Sequence, residues 1–338
     1  MATTIKDIAA ALGCSPSTVS RALHDHPQIN EGTKRAVRVM AKKMNFQINQ
    51  VAAGLRKHKT FCIGVIVPNI SNYFFSATLS GIQEVASNRQ YQVLICQTNE
   101  SVQEEERYVR ALSAGRVDGI LLSVSQSTKK YLHLTDLLQQ KIPLVLFDRT
   151  TDKLDVFKVE AEDYQGAYRA AEHLIDKGCK KIAMLAGPEN LINSQNRLKG
   201  YKDALKEHGL GVSNSLIKVC DFDKSKAKEA TIQLFSTTHD IDGVFAVNDE
   251  IAVECILTLK SMGLKVPQQV SVVGFGNYPI AQIVEPSLST VSHNPYLIGY
   301  KAAQNIMGQI HEEHGAAVND SMRELVGSEL IVRDSTNR

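Results

Sequence analysis

The chain has 338 residues, 43% hydrophobic and 22% charged, with a formal net charge of +2. That length suits two or three soluble globular domains, and no apolar run approaches the ~20 residues of a membrane span. The six cysteines, Cys14, Cys62, Cys96, Cys179, Cys220 and Cys255, stand singly without a Cys-x-x-Cys pair, so reduced thiols rather than metal or redox sites are expected. The charge is unevenly placed. The first 59 residues hold ten Lys/Arg against three acids, a balance of +7 that leaves −5 for the rest. A basic head on a mildly acidic body points to a polyanion partner at one end, with nucleic acid the leading candidate. The N-terminus has no basic stretch running into an apolar core, so a cytoplasmic location is expected.

Thr4 followed by Asp7 reads as a helix start. Ile5, Ile8, Ala9 and Leu12 then share one helical face, and Gly13 ends the helix. Ser15-Pro16 starts a second helix, with Ser as cap and Pro at the first position. Val19, Ala22 and Leu23 form its inner face, while Ser17, Thr18, Ser20 and Arg21 occupy the remainder. A third helix from about Asn30 is expected to bury Ala36, Val37, Met40, Ala41 and Met44. Two short helices joined by a Gly-containing turn make a helix-turn-helix pattern. Small residues on the second helix allow close approach to the major groove, and Arg can bridge O6 and N7 of guanine. A three-helix cap with a solvated basic face is the plainer alternative.

The stretch Thr4-Ile-Lys-Asp-Ile-Ala-Ala-Ala-Leu-Gly-Cys-Ser-Pro-Ser-Thr-Val-Ser-Arg-Ala-Leu23 resembles the head of the lactose/galactose repressor family. Asn45-Phe46-Gln47-Ile48-Asn49 with Val51, Ala52 and Leu55 resembles its hinge. The resemblance implies that Pro16, Ser17 and Arg21 face base edges, with Thr4, Ser15, Thr18, Ser20 and Asn30 completing the head's DNA-binding set. It also implies a hinge helix in which Leu55 wedges into the minor groove beside Ala52. So short a helix, weakened by Gly54, needs DNA and a partner helix to form. A flexible linker is the alternative off DNA.

From Phe61 onward apolar runs alternate with amphipathic stretches: Phe61–Val67, Tyr91–Cys96, Gly119–Val124 and Ile142–Phe147, then again Ile182–Ala186 and Gly243–Val247. This predicts parallel sheets covered on both faces. Val117-Asp-Gly-Ile-Leu-Leu122 and Ile241-Asp-Gly-Val-Phe-Ala246 look like one strand entry used twice, which fits two similar lobes with a cleft between them. Ligands of open α/β sheets bind beyond the C-terminal strand ends. The family resemblance places effector contacts there: Phe74, Phe75 and Phe222 stacking on the ligand, and Asp148, Asn193, Arg197, Asn248 and Asn277 bonding its polar edges. Phe74 and Phe75 fit an ordinary core equally well. Many relatives carry an Asp after Gly-Phe or Gly-Tyr near the last strand of the second lobe, where this chain reads Gly274-Phe275-Gly276-Asn277; with that carboxylate missing, an acidic or amidated sugar would meet one less negative charge.

The predicted fold class is therefore α/β: an all-α helix-turn-helix head over residues 1–47, a hinge over 48–59 whose helix spans Asn49–Leu55, and a two-lobed, periplasmic-binding-protein-like body over 60–338. Lobe 1 is expected at about 60–160 and 291–322, lobe 2 at about 161–290 and 323–338. The expected function is a ligand-responsive transcriptional regulator, a homodimer on a near-palindromic double-stranded operator, with a small sugar or sugar acid as effector and no membrane partner. Neither cofactor nor metal is expected. Gly274-Phe275-Gly276 lacks the third glycine of a dinucleotide loop, His311-Glu-Glu-His314 lacks a third ligand, and no catalytic constellation assembles. An uptake-type sugar-binding protein and a Rossmann-type enzyme are the rival readings.

Overall fold

The computed structural model describes residues 3–46, 59–311 and 322–338. It divides into two compact units, Met1–Thr60 and Phe61–Arg338.

The first unit holds helices α1 (Ile5–Leu12), α2 (Pro16–Leu23) and α3 (Glu31–Lys43). Their starts are fixed by side chains. Asp7 Oδ2 accepts from the Thr4 amide and hydroxyl, each at 2.8 Å. Ser15 Oγ accepts from Thr18 N at 3.1 Å, and Asn30 Oδ1 from Thr33 N at 2.8 Å. Gly13 ends α1 at φ +62°, a conformation that costs glycine nothing. Ile8, Ala9, Val19, Ala22, Val37 and Ala41 form the buried core. Ala36, expected inside, is exposed; Lys34 takes the inward position on that turn instead. A Lys tolerates this only when paired, and its Nζ lies 2.8 Å from Glu31 and 3.5 Å from Asp25.

The second unit contains two six-stranded sheets. In chain order the first contributes β1 (Cys62–Val67), α4 (Tyr73–Asn88), β2 (Gln92–Gln97), α5 (Val102–Ser113), β3 (Gly119–Leu122), α6 (Leu132–Gln139), β4 (Leu144–Phe147) and β5 (Phe157–Ala161). The chain then crosses over for α7 (Asp163–Asp176), β6 (Ile182–Ala186), α8 (Ile192–Glu207), β7 (Ile217–Val219), α9 (Lys224–Thr237), β8 (Gly243–Ala246), α10 (Asp249–Ser261), β9 (Ser271–Phe275), α11 (Ile280–Ile283) and β10 (Ser289–Ser292). It returns for α12 (Pro295–His311) and β11 (Arg323–Val326), and crosses a last time to β12 (Glu329–Ile331). The strand orders, β11-β5-β4-β3-β1-β2 and β12-β10-β9-β8-β6-β7, repeat one another, except that the edge strand is parallel in the first sheet (β11) and antiparallel in the second (β12).

Alternation along the strands feeds two cores per lobe. Ile63, Val65 and Val67 face α4 and α12, whereas Ile66, Ile120 and Leu122 face α5 and α6. The helix pairs pack at glycine. A Cβ on Gly81 of α4 would lie 2.1 Å from the Tyr296 carbonyl of α12, and one on Gly200 of α8 2.3 Å from the Tyr164 carbonyl of α7. The repeated Val/Ile-Asp-Gly entries prove equivalent. Asp118 accepts from Phe61 N at 3.0 Å and Asp242 from Lys181 N at 2.9 Å, each tying a third strand to the start of the first.

Two expectations need correction. Residues 323–326 do not open the second lobe: β11 pairs in parallel with β5, and only β12 joins the second sheet, beside β10. A four-residue strand carries no mark of which sheet it will extend. The run Tyr91–Cys96 is expected to be buried, yet among the described strands β2 pairs with β1 alone, so Leu94 and Ile95 are 39% and 49% exposed at the sheet edge.

Candidate functional site

In the head, the buried stripe of α2 turns the opposite side outward. Val19 and Ala22 are buried, Pro16, Ser17 and Arg21 exposed, and Thr18 and Ser20 half-buried. The Ser15 hydroxyl lies 2.7 Å from that of Ser17 and 2.8 Å from that of Thr18, a cluster of donors at a helix N-terminus. Such a terminus favours phosphate oxygens. Thr4 and Asn30 are exposed caps of the neighbouring helices. The expected hinge contacts Ala52 and Leu55 lie outside the described residues.

In the body, a cavity of about 360 Å³ opens at the C-terminal strand ends between the two sheets. Phe74, Phe75, Asp148, Asn193, Arg197, Phe222 and Asn248 all line it. Asn277 does not. Its Oδ1 accepts from Arg333 Nη2 at 2.8 Å and its amide donates to Thr290, so it braces the C-terminal segment instead. Phe74 and Phe75 belong to the first core as well as the cavity wall, so the two readings of them are both true.

Two arginines dominate the cavity, and both are held by carboxylates. Arg149 Nη1 donates to the two Glu100 oxygens at 2.7 and 2.9 Å, and its guanidinium lies over Phe75 and Phe222 at 5.6 and 5.0 Å. Arg197 donates to Asp163 through Nε at 2.8 Å and to the Val247 carbonyl through Nη1 at 2.7 Å, with Phe275 beneath it at 3.9 Å. Burial pushes the Asp163 carboxyl up to about 6 against the pull of Arg197, which leaves it ionised at neutral pH. Asp148 is also raised by burial, while Arg149 and Arg197 draw it down. Asn193 donates to Asp148 across the lobes at 3.3 Å, and Asn72 to Glu250 likewise at 3.3 Å.

His293 closes the floor. Its ring stacks on Phe74 at 5.2 Å and tilts against Phe275 at the same distance. Burial, helped by Arg197, lowers its pKa to about 3, so the imidazole stays neutral. Its Nδ1 is buried without a partner among the described residues. Asn99, Glu100, Asp148, Asp221 and Phe222 hold φ between +50° and +63°, a region non-glycine residues rarely occupy. Backbone of this kind tends to gather where ligands bind, although Asn and Asp adopt it more readily than other residues.

Sequence reasoning passed over Glu100, Arg149, Asp163, Tyr278 and His293. Arg149 adjoins a predicted contact at a strand end and was recoverable; the others are united with the cavity only by the fold.

Two family descriptions match. Residues 4–49 match the bacterial regulatory proteins of the lacI family, and residues 60–328 the periplasmic binding proteins and sugar-binding domain of the LacI family. The chain belongs to the LacI family. The ribose operon repressor of Halalkalibacterium halodurans is 31% identical over 334 residues, covering 99% of this chain and 97% of its own length. Among solved structures, the transcriptional regulator CelR–cellobiose complex superposes with a TM-score of 0.75 at 26% identity, covering 98% of this chain and 99% of that one. A lac repressor dimer bound to operator and the anti-inducer ONPF superposes at 0.87 over 99% of each chain, with 21% identity, and so shares the fold. As a LacI-family member this protein is a ligand-responsive transcriptional regulator. No described helix is long and apolar enough to cross a membrane.

One buried acid gives this LacI-family body a pH signature. Asp249 accepts from the Tyr278 amide at 2.6 Å and from the Thr290 hydroxyl, yet burial still pushes its carboxyl up to about 6. An unfolded Asp titrates near about 3.9. Between roughly pH 4 and 6 the folded chain therefore holds a proton that the unfolded chain has released, and this group's contribution to stability rises as pH falls through that window. The span is on the order of 2–3 kcal/mol. Denaturant melts should show wild type gaining stability from pH 7 to 5 relative to Asp249→Asn; parallel pH profiles would contradict this.

Proposed function

We propose that the protein is a repressor that binds a near-palindromic operator as a homodimer in the cytoplasm and releases or engages it when a small sugar occupies the interlobe cavity. The observation that carries this reading is the cavity itself: a polar, strained, aromatic-walled space whose walls come from both lobes. In the head, Arg21 reads guanine, Pro16 and Ser17 approach base edges, and Thr4, Ser15, Thr18, Ser20 and Asn30 contact phosphate or sugar. Two heads are needed because each offers one groove-reading helix. The exposed Leu94 and Ile95 edge supports a second copy alongside the first lobe.

In the cavity, Asp148, Asn193, Arg197 and Asn248 meet ligand hydroxyls, while Phe74, Phe75 and Phe222 supply apolar faces. The Asp148–Asn193 and Asn72–Glu250 bonds span the lobes, so a ligand that joins or parts them biases lobe closure. That is a two-state element able to change a distant affinity. A coupling of about 1–3 kcal/mol alters operator affinity roughly 5- to 150-fold. The uptake-protein alternative accounts for the body and leaves the head without a role.

Operator retention measured against a panel of pentoses, hexoses and disaccharides tests this reading. Phe222→Ala should weaken the active sugar about tenfold, the scale of one lost aromatic face at about 1–2 kcal/mol. A panel without effect on operator binding would refute the effector assignment, and a chain that ignores every duplex would refute the regulator.

A further inference from the structure

We propose that Glu100 is a specificity-determining residue: by neutralising Arg149 it makes the cavity refuse anionic ligands and favour uncharged, hydroxyl-rich ones. The proposal rests on the reading of this cavity as the effector site and narrows its ligand class.

The argument is a charge balance inside the cavity. Its two guanidiniums would ordinarily invite a carboxylate or a phosphate, because a planar bidentate donor matches either. Both are already paired in charge, Arg149 through Nη1 alone and Arg197 through Nε and Nη2. Glu100 takes Arg149 at 2.7 and 2.9 Å, and Asp163 takes Arg197 at 2.7 Å. Asp148 adds a third carboxyl, 3.9 Å from Arg149. Around the two guanidiniums these three carboxyls leave the balance neutral with Asp148 protonated and negative with it ionised, and the further lining acids Asp221, Asp223 and Glu250 supply no positive charge, Asp221 and Glu250 being matched by Lys226 and Lys224. An incoming anion meets no free positive charge and must displace Glu100 or Asp163 from a buried partner, which is costly. Neutral hydroxyls lose nothing: they donate to Asp148 and accept from Asn193, and the unpartnered Nδ1 of His293 awaits one more bond. The two masking pairs differ in access. Asp163 is buried, whereas the Glu100 side chain is 35% exposed at the rim, so Glu100 is the one whose charge can be removed with least harm to the core. Asn277, outside the cavity, does not enter this balance.

The test is calorimetric titration of the full chain with paired probes, D-glucose against D-glucuronate and D-ribose against D-ribose 5-phosphate, and with inorganic phosphate. It compares wild type, Glu100→Gln and the double variant Glu100→Gln/Arg149→Met, each shown to be folded by a cooperative melt; Glu100→Ala replaces the glutamine variant should that one fail to fold. Wild type should bind no anionic probe more tightly than its neutral partner. Glu100→Gln, with Arg149 unmasked, should gain about tenfold or more for phosphate and the anionic sugars, and the double variant should lose that gain. A wild type that prefers glucuronate or ribose phosphate overturns the proposal, as does a folded Glu100→Gln without the gain. Should the gain appear while no neutral sugar alters operator binding, the masking role of Glu100 is upheld and the effector reading alone fails.

Discussion

Arg21→Ala is expected to abolish the preference of this protein for its operator over unrelated duplex DNA. Arg21 lies on the exposed side of α2, opposite the buried Val19 and Ala22, so its removal leaves the head core untouched. A bidentate Arg–guanine contact is worth about 1–3 kcal/mol of discrimination, and a dimer makes it twice. Losing both removes roughly 2–6 kcal/mol of specificity, a large share of what separates specific from non-specific binding. The remaining basic residues of the head continue to hold phosphates, so salt-dependent binding to any duplex persists. Anisotropy titrations across a salt series, with a duplex selected by wild type and a scrambled control, measure both quantities. Retained selectivity in a folded Arg21→Ala head would remove Arg21 from the reading surface.

Arg197→Ala should be the most damaging single change in the body. Its guanidinium neutralises Asp163, caps the Val247 carbonyl and lies on Phe275, all out of water. Removing it leaves the buried Asp163 carboxyl without its counter-charge, so that it must take up a proton or stay charged out of water, a loss of up to about 3–5 kcal/mol. That approaches the whole stability of many domains, so a population of unfolded body is expected near physiological temperature. The cause is the stranded charge, and this can be checked. Arg197→Met combined with Asp163→Leu removes both charges and should recover most of the lost stability, since an apolar pair often matches a buried ion pair. Denaturant midpoints of the single and double variants decide the matter. A double variant no better than Arg197→Ala would assign the loss to packing on Phe275 instead.

Much of the architecture is legible before any coordinates, and the particular elements show why. The helix starts at Thr4, Ser15 and Asn30 are local: each cap bonds an amide or side chain within three residues. The strands Ile182–Ala186 and Gly243–Ala246 announce themselves as short apolar runs because both faces of their sheet are covered. Where the local pattern is ambiguous, the outcome depends on neighbours. Ala36 and Lys34 differ by two positions on α3, yet Lys34 is buried, with its ammonium reaching the exposed Glu31 and Asp25, and Ala36 is exposed. Tyr91–Cys96 reads like any interior strand, yet its place at the end of the strand order leaves it wet.

The cavity divides in the same manner. Asp148, Asn193, Arg197, Phe222 and Asn248 can be named from polar or aromatic residues at strand ends and helix starts, together with the family resemblance. Nothing local pairs Arg149 with Glu100, 49 residues earlier, or Arg197 with Asp163, 34 residues earlier. These partners meet because the crossovers bring separate strand ends to one opening. The amino-acid order alone thus determined the helical head, the doubled α/β body and the family, all properties of short-range periodicity, capping and charge. The tertiary structure alone decided which sheet receives Arg323–Val326, that Asn277 faces Arg333 rather than the cavity, and which carboxylate silences each arginine. Those are choices of contact between segments far apart in the chain, set by the packing of whole elements and written in no single stretch of it.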